Sequence, residues 1–104
     1  YNNLITDFKG IEIMKKYKYP IIFDATHSCQ QPGGLGDRSG GNREFIEGLS
    51  KAAAAIGVAG IFIETHQDPD NAPSDGPNML QLSNLDKLVS KLIKLDQVTK
   101  QIEL

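Results

Sequence analysis

The sequence predicts an α/β protein in which a βα unit repeats around a parallel sheet, and three observations carry that prediction. Two short, wholly apolar runs, Pro20-Ile21-Ile22-Phe23 and Val58-Ala59-Gly60-Ile61-Phe62-Ile63, read as strands covered by helices on both faces. Each run is followed by a loop rich in Gly, Pro and Asp and then by an amphipathic helical stretch. The runs close on near-parallel phrases, Phe23-Asp24-Ala25-Thr26-His27 and Phe62-Ile63-Glu64-Thr65-His66, spaced widely enough for a parallel crossover.

Taken in order, Lys9 to Lys18 carries Ile11, Met14 and Tyr17 at helical spacing among charged neighbours and should stop before Tyr19-Pro20. The first strand follows. The stretch from Gln31 to Gly41 holds five glycines and a proline in eleven residues, which predicts a long loop. Asn42 can cap the next helix, whose apolar face is Phe45, Ile46, Leu49, Ala52, Ala53 and Ile56 and whose stop is Gly57. After the second strand comes another loop, from His66 to Pro77. Ser83 and Asp86 make a capping-box-like start for the last helix, with Leu85, Leu88, Val89, Leu92, Leu95, Val98 and Ile102 as its buried stripe.

Helix, strand, helix, strand, helix points to a doubly wound sheet or a (β/α)8 barrel, and two strands complete neither. A full barrel takes about 250 residues. The expectation is therefore that residues 1–104 are the C-terminal segment of one barrel domain, about its last two βα units plus a preceding helix. Such a piece should not fold stably alone, and an opening Tyr1-Asn2-Asn3-Leu4 without Met fits a trimmed chain.

A chain of 104 residues with 39% apolar content and a net charge of −2 belongs among globular proteins and shows no basic stripe for nucleic acid. Its apolar stretches fall well short of the roughly 20 residues of a membrane span, and no signal-peptide pattern opens it. A cytoplasmic location is the default expectation. Cys29 is the single cysteine, so it forms no internal disulfide. It reads as a bystander, with a thiol role conceivable because His27 is two residues away.

His27, Glu64 and Asp75 carry the chemistry. Each stands at or after a strand end, and barrel active sites lie at the carboxyl ends of the strands, beneath the long βα loops. Imidazole nitrogen with carboxylate oxygen suits Zn²⁺, Fe²⁺ or Mn²⁺, with a further position for another ligand or water. Spacing alone leaves open that these residues only mark where strands stop.

Pro20-Ile21-Ile22-Phe23-Asp24-Ala25-Thr26-His27-Ser28, Gln30, Pro32-Gly33-Gly34, Ser39-Gly40-Gly41, Phe62-Ile63-Glu64-Thr65-His66 and Ser74-Asp75-Gly76-Pro77 closely resemble the carboxy-terminal part of the 3-deoxy-D-manno-octulosonate 8-phosphate synthase family. The resemblance covers essentially the whole chain. It implies a (β/α)8 barrel, usually a homotetramer, and a transferase that condenses phosphoenolpyruvate with D-arabinose 5-phosphate and releases phosphate. The product serves lipopolysaccharide biosynthesis.

In the metal-dependent branch of that family the ion is held by Cys, His, Glu and Asp. The last three map onto His27, Glu64 and Asp75, while the Cys would lie upstream of this chain and is not Cys29. Ser74 departs from the Cys usual in the metal-free branch, whereas Pro77 resembles that branch, so metal dependence is the expectation with a metal-free enzyme as its alternative. His27 and Asp75 are then the catalytic candidates, and Gln30, Asp37, Arg38 and Ser39 belong to a loop that closes over the sugar phosphate. Strand alternation would put Asp24 on the face opposite His27, in a supporting role or, the favoured reading, as a buried acid paired to a neighbouring cation. His66 is expected to cap a loop or stand behind the ligands.

Two rival readings stand beside this one. The first is a 3-deoxy-heptulosonate 7-phosphate synthase-like enzyme, whose motif typically has Asp-Pro-Ser-His where this chain has Asp24-Ala25-Thr26-His27. The second is a non-catalytic α/β binding module that folds alone.

Overall fold

Capping of the first helix by Asp7 opens the described fold. Its carboxylate accepts the Gly10 N–H at 3.1 Å and starts α1, Phe8–Lys15. The computed structural model describes residues 7–31, 40–41, 43–73 and 76–103. Helix α1 ends at Lys15, short of Lys18, and the chain turns over residues 16–18 with Lys18 at φ 62°. Of the apolar face expected here, only Ile11 is buried, while Met14 and Tyr17 stay exposed.

Strand β1, Ile22–Asp24, lies parallel to β4, Gly60–Phe62, with Ile22 opposite Gly60 and Asp24 opposite Phe62. Both are shorter than the apolar runs that encode them. The N–H groups of Ala59 and Gly60 both reach the Ile21 carbonyl, at 2.8 and 3.3 Å, so a forked contact precedes the regular ladder. Phe23 faces α1 and stacks on Phe8 with ring centroids 5.8 Å apart. The other face corrects the expectation of strands covered on both sides: Ile22 is 61% and Phe62 49% exposed.

The predicted structureless loops are tied at their bases by short ladders. Strand β2, Gln30–Gln31, pairs antiparallel with β3, Gly40–Gly41. Strand β5, Thr65–His66, pairs parallel with β6, Leu80–Gln81. Between β5 and β6 lie two single 3-10 turns, Pro69–Asn71 and Gly76–Asn78.

Helix α2, Ile46–Ile56, begins after a 3-10 turn at Arg43–Phe45. The expected cap, Asn42, lies outside the described residues. Phe45 takes the cap position without a side-chain bond and is exposed, so the buried face is Ile46, Ser50, Ala53 and Ala54. Gly57 ends α2 at φ 97°, where a Cβ would meet the Glu103 carboxylate and the Lys15 amine.

Helix α3, Leu85–Glu103, follows a 3-10 turn at Leu82–Asn84 that takes in Ser83, the expected cap. It packs along α2, where Ala53 and Ala54 allow close approach. The buried row is Leu88, Leu92 and Thr99, with Leu85 and Leu95 packed partly against the core. Val89, Val98 and Ile102 are exposed, because one neighbouring helix covers a single i, i+4, i+7 row and not the full predicted stripe. Among the described residues, no helix is long and apolar enough to cross a membrane.

Candidate functional site

The site grows out of a sharp turn at the end of β1. After Asp24 the chain leaves the strand through Ala25 and Thr26 and enters a 3-10 turn at His27–Cys29. Alternation therefore fails here, and His27 folds back over Asp24 instead of lying on the opposite face. Bonds to Asp24 hold the turn. Asp24 Oδ1 accepts from the His27 N–H at 3.0 Å and from the Thr26 hydroxyl at 3.1 Å. Its Oδ2 lies 2.8 Å from His27 Nδ1. The Ser28 hydroxyl donates to the Asp24 carbonyl at 2.6 Å.

A carboxylate only accepts, so the 2.8 Å contact assigns the proton to His27 Nδ1. Nε2 is directed to the other strand, 3.4 Å from Glu64 Oε1. Burial acts most strongly on Asp24 and pushes its carboxyl up, but the bonds from the His27 backbone, the His27 ring and Thr26, with the His27 charge, together hold it below the ordinary carboxylate range.

Thr26 joins the two strand ends. Its hydroxyl, fully buried, donates to Asp24 and accepts the Glu64 N–H at 3.3 Å. The Glu64 carbonyl in turn accepts from Leu80 N at 2.9 Å, which continues the connection into β6. Sequence reading missed Thr26, although the Thr-His pair that ends both parallel phrases marked it.

Of the expected residues, the structure thus brings together His27 and Glu64. Gln30 supplies backbone to β2. Asp37, Arg38, Ser39 and Asp75 lie outside the described residues. His66 caps a turn, its Nδ1 accepting the Asp68 N–H at 2.8 Å. Cys29 is buried, donates its thiol to the Ala25 carbonyl at 3.4 Å, and is pushed by burial up to about 11. It is a packing residue.

Arg43 was also missed. Its Nη2 donates to the Gly76 carbonyl at 2.6 Å and to Asp70 Oδ1 at 3.0 Å, across the loop that follows β5. Gly76 is required there, since a Cβ would collide with the Pro69 carbonyl.

The donor chemistry fits a divalent transition metal as far as it extends: an imidazole with one ring nitrogen anchored by a carboxylate and the other facing a second carboxylate is the arrangement found behind metal-bound histidines. Among the described residues no group of three His, Cys, Asp or Glu side chains stands close enough to hold an ion. His27 and Glu64 are the two expected donors that the described residues bring together.

The sequence matches the family model described as the DAHP synthetase I family over residues 1–101. The chain belongs to the DAHP synthetase I family. Within that family it is similar to proteins named 2-dehydro-3-deoxyphosphooctonate aldolase. It is 58% identical to that of Rickettsia bellii (strain OSU 85-389) over 97% of this chain and 37% of the relative. It is 59% identical to that of Agrobacterium fabrum over 96% of this chain and 36% of the relative. The chain spans little more than a third of these relatives' length.

Two solved structures from Thermotoga maritima carry the same fold. A phospho-2-dehydro-3-deoxyheptonate aldolase (DAHP synthase) superposes with a TM-score of 0.77 at 29% identity, over 94% of this chain and 26% of that one. A truncated 3-deoxy-D-arabino-heptulosonate 7-phosphate synthase gives 0.72 at 31% identity, over 88% of this chain and 31% of that one. The parallel β1–β4 pair with α2 as its crossover is part of a (β/α)8 barrel.

Proposed function

We propose that this chain forms part of a barrel enzyme that condenses phosphoenolpyruvate with D-arabinose 5-phosphate to 3-deoxy-D-manno-octulosonate 8-phosphate, releasing phosphate. The observation that carries the reading is the 55–59% identity, over almost the whole chain, to relatives named 2-dehydro-3-deoxyphosphooctonate aldolase. The solved heptonate synthases stand at 29–31%. That gap favours the arabinose 5-phosphate reading over the heptulosonate one. A free-standing binding module has no comparable support.

In the reaction, the methylene carbon of phosphoenolpyruvate bonds to the aldehyde carbon, water oxygen adds to the neighbouring carbon, and the C–O bond to phosphate breaks. His27, Glu64 and Asp75 would hold a divalent ion together with a ligand from outside this chain. Such an ion supplies polarisation of the aldehyde or a lowered pKa for the attacking water. Asp24 fixes the ring of His27 so that Nε2 meets the reacting groups, and Thr26 keeps the His27 and Glu64 strand ends at one depth. Gln30, Asp37, Arg38 and Ser39 lie on the loop that would cover the sugar phosphate, and the remaining barrel strands and a homotetrameric assembly would complete the enzyme.

Turnover by the full-length protein decides the matter. Phosphate release with arabinose 5-phosphate and phosphoenolpyruvate is expected. Release with erythrose 4-phosphate alone would transfer the chain to the heptulosonate reaction, and release with neither would refute the proposal.

A further inference from the structure

The β1–β4 ladder stops where the site begins, and it stops irregularly. The Gly60 N–H reaches the Ile21 carbonyl, and the Ala25 N–H reaches the Phe62 carbonyl at 2.9 Å. A parallel ladder advances two residues on each strand, so its next rungs would run from the Glu64 N–H to the Ala25 carbonyl and from the His27 N–H to the Glu64 carbonyl. Neither forms. The Glu64 N–H goes instead to the Thr26 hydroxyl at 3.3 Å, and the Ala25 carbonyl takes the Cys29 thiol at 3.4 Å. The His27 N–H goes to Asp24 Oδ1 at 3.0 Å, and the Glu64 carbonyl takes the Leu80 N–H at 2.9 Å. All four backbone groups are satisfied again, and a Thr26 side chain has become the acceptor across the two strand ends. Its one hydroxyl proton goes to Asp24 Oδ1 at 3.1 Å, so Thr26 meets Glu64 as an acceptor only. Thr26 is fully buried, where an unmet donor or acceptor is costly.

We infer that Thr26 is a positioning residue whose hydroxyl replaces the lost rung, fixes the separation of His27 from Glu64 and so sets the affinity of that pair for a divalent ion. The inference rests on the proposed reading of His27 and Glu64 as metal ligands. Loss of the rung is what lets His27 fold over Asp24, with Nδ1 on Oδ2 and Nε2 directed at Glu64. The same loss would let the two strand ends splay. They do not: Nε2 and Glu64 Oε1 stand 3.4 Å apart. Two donors that share a tetrahedral ion at roughly 2.0–2.2 Å stand about 3.3–3.6 Å apart, so the pair is already spaced for one ion. Thr26 bonds to both halves of it, to the Asp24 carboxylate that orients the ring and to the Glu64 backbone, while Leu80 holds Glu64 from the other side. Positioning of this kind typically accounts for roughly 10- to 100-fold in metal affinity.

The test compares Thr26→Val, Thr26→Ser and His27→Ala with the unmodified full-length protein, reading Mn²⁺ affinity by titration calorimetry, exchange of the Glu64 amide proton and nitrogen-15 shifts of the His27 ring. Thr26→Val keeps the shape and removes the hydroxyl. It should weaken Mn²⁺ binding by roughly 10- to 100-fold, speed exchange at Glu64 and mix the His27 tautomers. Thr26→Ser, which keeps the hydroxyl and loses the methyl, should restore most of all three. Folded Thr26→Val protein that binds Mn²⁺ within about twofold of the unmodified protein would overturn the inference, and so would a loss of about 10-fold or more in Thr26→Ser, since packing of the methyl would then be the cause. In the unmodified protein the Glu64 amide should be protected from exchange, and an amide that exchanges as in an unfolded chain would equally overturn it, whether or not a variant folds. His27→Ala separates the two levels. If the unmodified protein takes up no Mn²⁺, or His27→Ala leaves its affinity intact, the metal reading itself fails, whereas a loss in His27→Ala without one in Thr26→Val removes Thr26 alone.

Discussion

Asp24 Oδ2 and His27 Nδ1 stand 2.8 Å apart within a single turn, and this contact orients the ring whose opposite nitrogen faces Glu64. A carboxylate three residues before the histidine does by local geometry what a distant partner would do only through tertiary packing. Asp24→Ala should therefore release the ring, populate the second tautomer and lower Mn²⁺ affinity by roughly 10- to 100-fold. Nitrogen-15 shifts of His27 check the tautomer directly, and a spectrum unchanged by the substitution would remove Asp24 from the site.

Metal dependence is the second expectation. Chelation of the full-length enzyme should abolish turnover, and Mn²⁺, Zn²⁺ or Fe²⁺ should restore it, since imidazole and carboxylate donors accept all three. His27→Ala should bind the ion too weakly to be restored. Full turnover by protein shown to be metal-free would place the enzyme in the metal-free branch, with His27 and Asp75 as substrate contacts.

Much of this was legible in the sequence. Two short, wholly apolar runs gave both strands, and Gly57, whose φ of 97° only glycine tolerates well, gave the end of α2. His27 and Glu64 were readable because strand ends converge in a parallel sheet. The Asp24 contact was not, since alternation holds only while the strand continues and the chain turns immediately after Asp24. Arg43 and Thr26 were invisible for another reason: each acts through a backbone group of a distant segment, and no side-chain pattern encodes those partners. The exposure of Val98 and Ile102 shows a third limit, because periodicity marks an apolar stripe without saying how much of it a neighbour covers.

Cys29 supplies a pH prediction. Its folded thiol is raised from 9.0 to about 11 by burial, which favours the neutral form in the folded state. Folding is thus unopposed by this group below pH 9.0, and stability should fall as pH rises from there through about 11, where the unfolded thiol ionises first. The slope should vanish in Cys29→Ala. Alkylation at pH 8 should run at roughly a hundredth of the rate of an ordinary thiol, following the thiolate fraction. Modification at the free-thiol rate would contradict the burial.

Gly76→Ala tests the tight closure of the loop after β5. An added Cβ would strike the Pro69 carbonyl, and backbone cannot swing aside as a side-chain tip can. A cost of about 1–3 kcal/mol is expected, as for other overpacking changes, with Mn²⁺ affinity lowered alongside. Urea denaturation of the full-length protein reads the first quantity, and an unchanged midpoint would mean that the loop base opens freely.

The parallel pairing of β1 with β4 also governs how the chain must fold. A ladder of three residues is too short to nucleate alone, and its strands are separated by all of α2 and the loop before it. Loop-closure entropy has to be met before the pairing returns anything, so packing of α2 into the core that Phe23 shares must accompany the ladder. Without the remaining barrel strands, Ile22 and Phe62 stay in water beside open backbone edges. A segment in that state is prone to edge-to-edge association, a hazard set by its topology and independent of its catalytic chemistry.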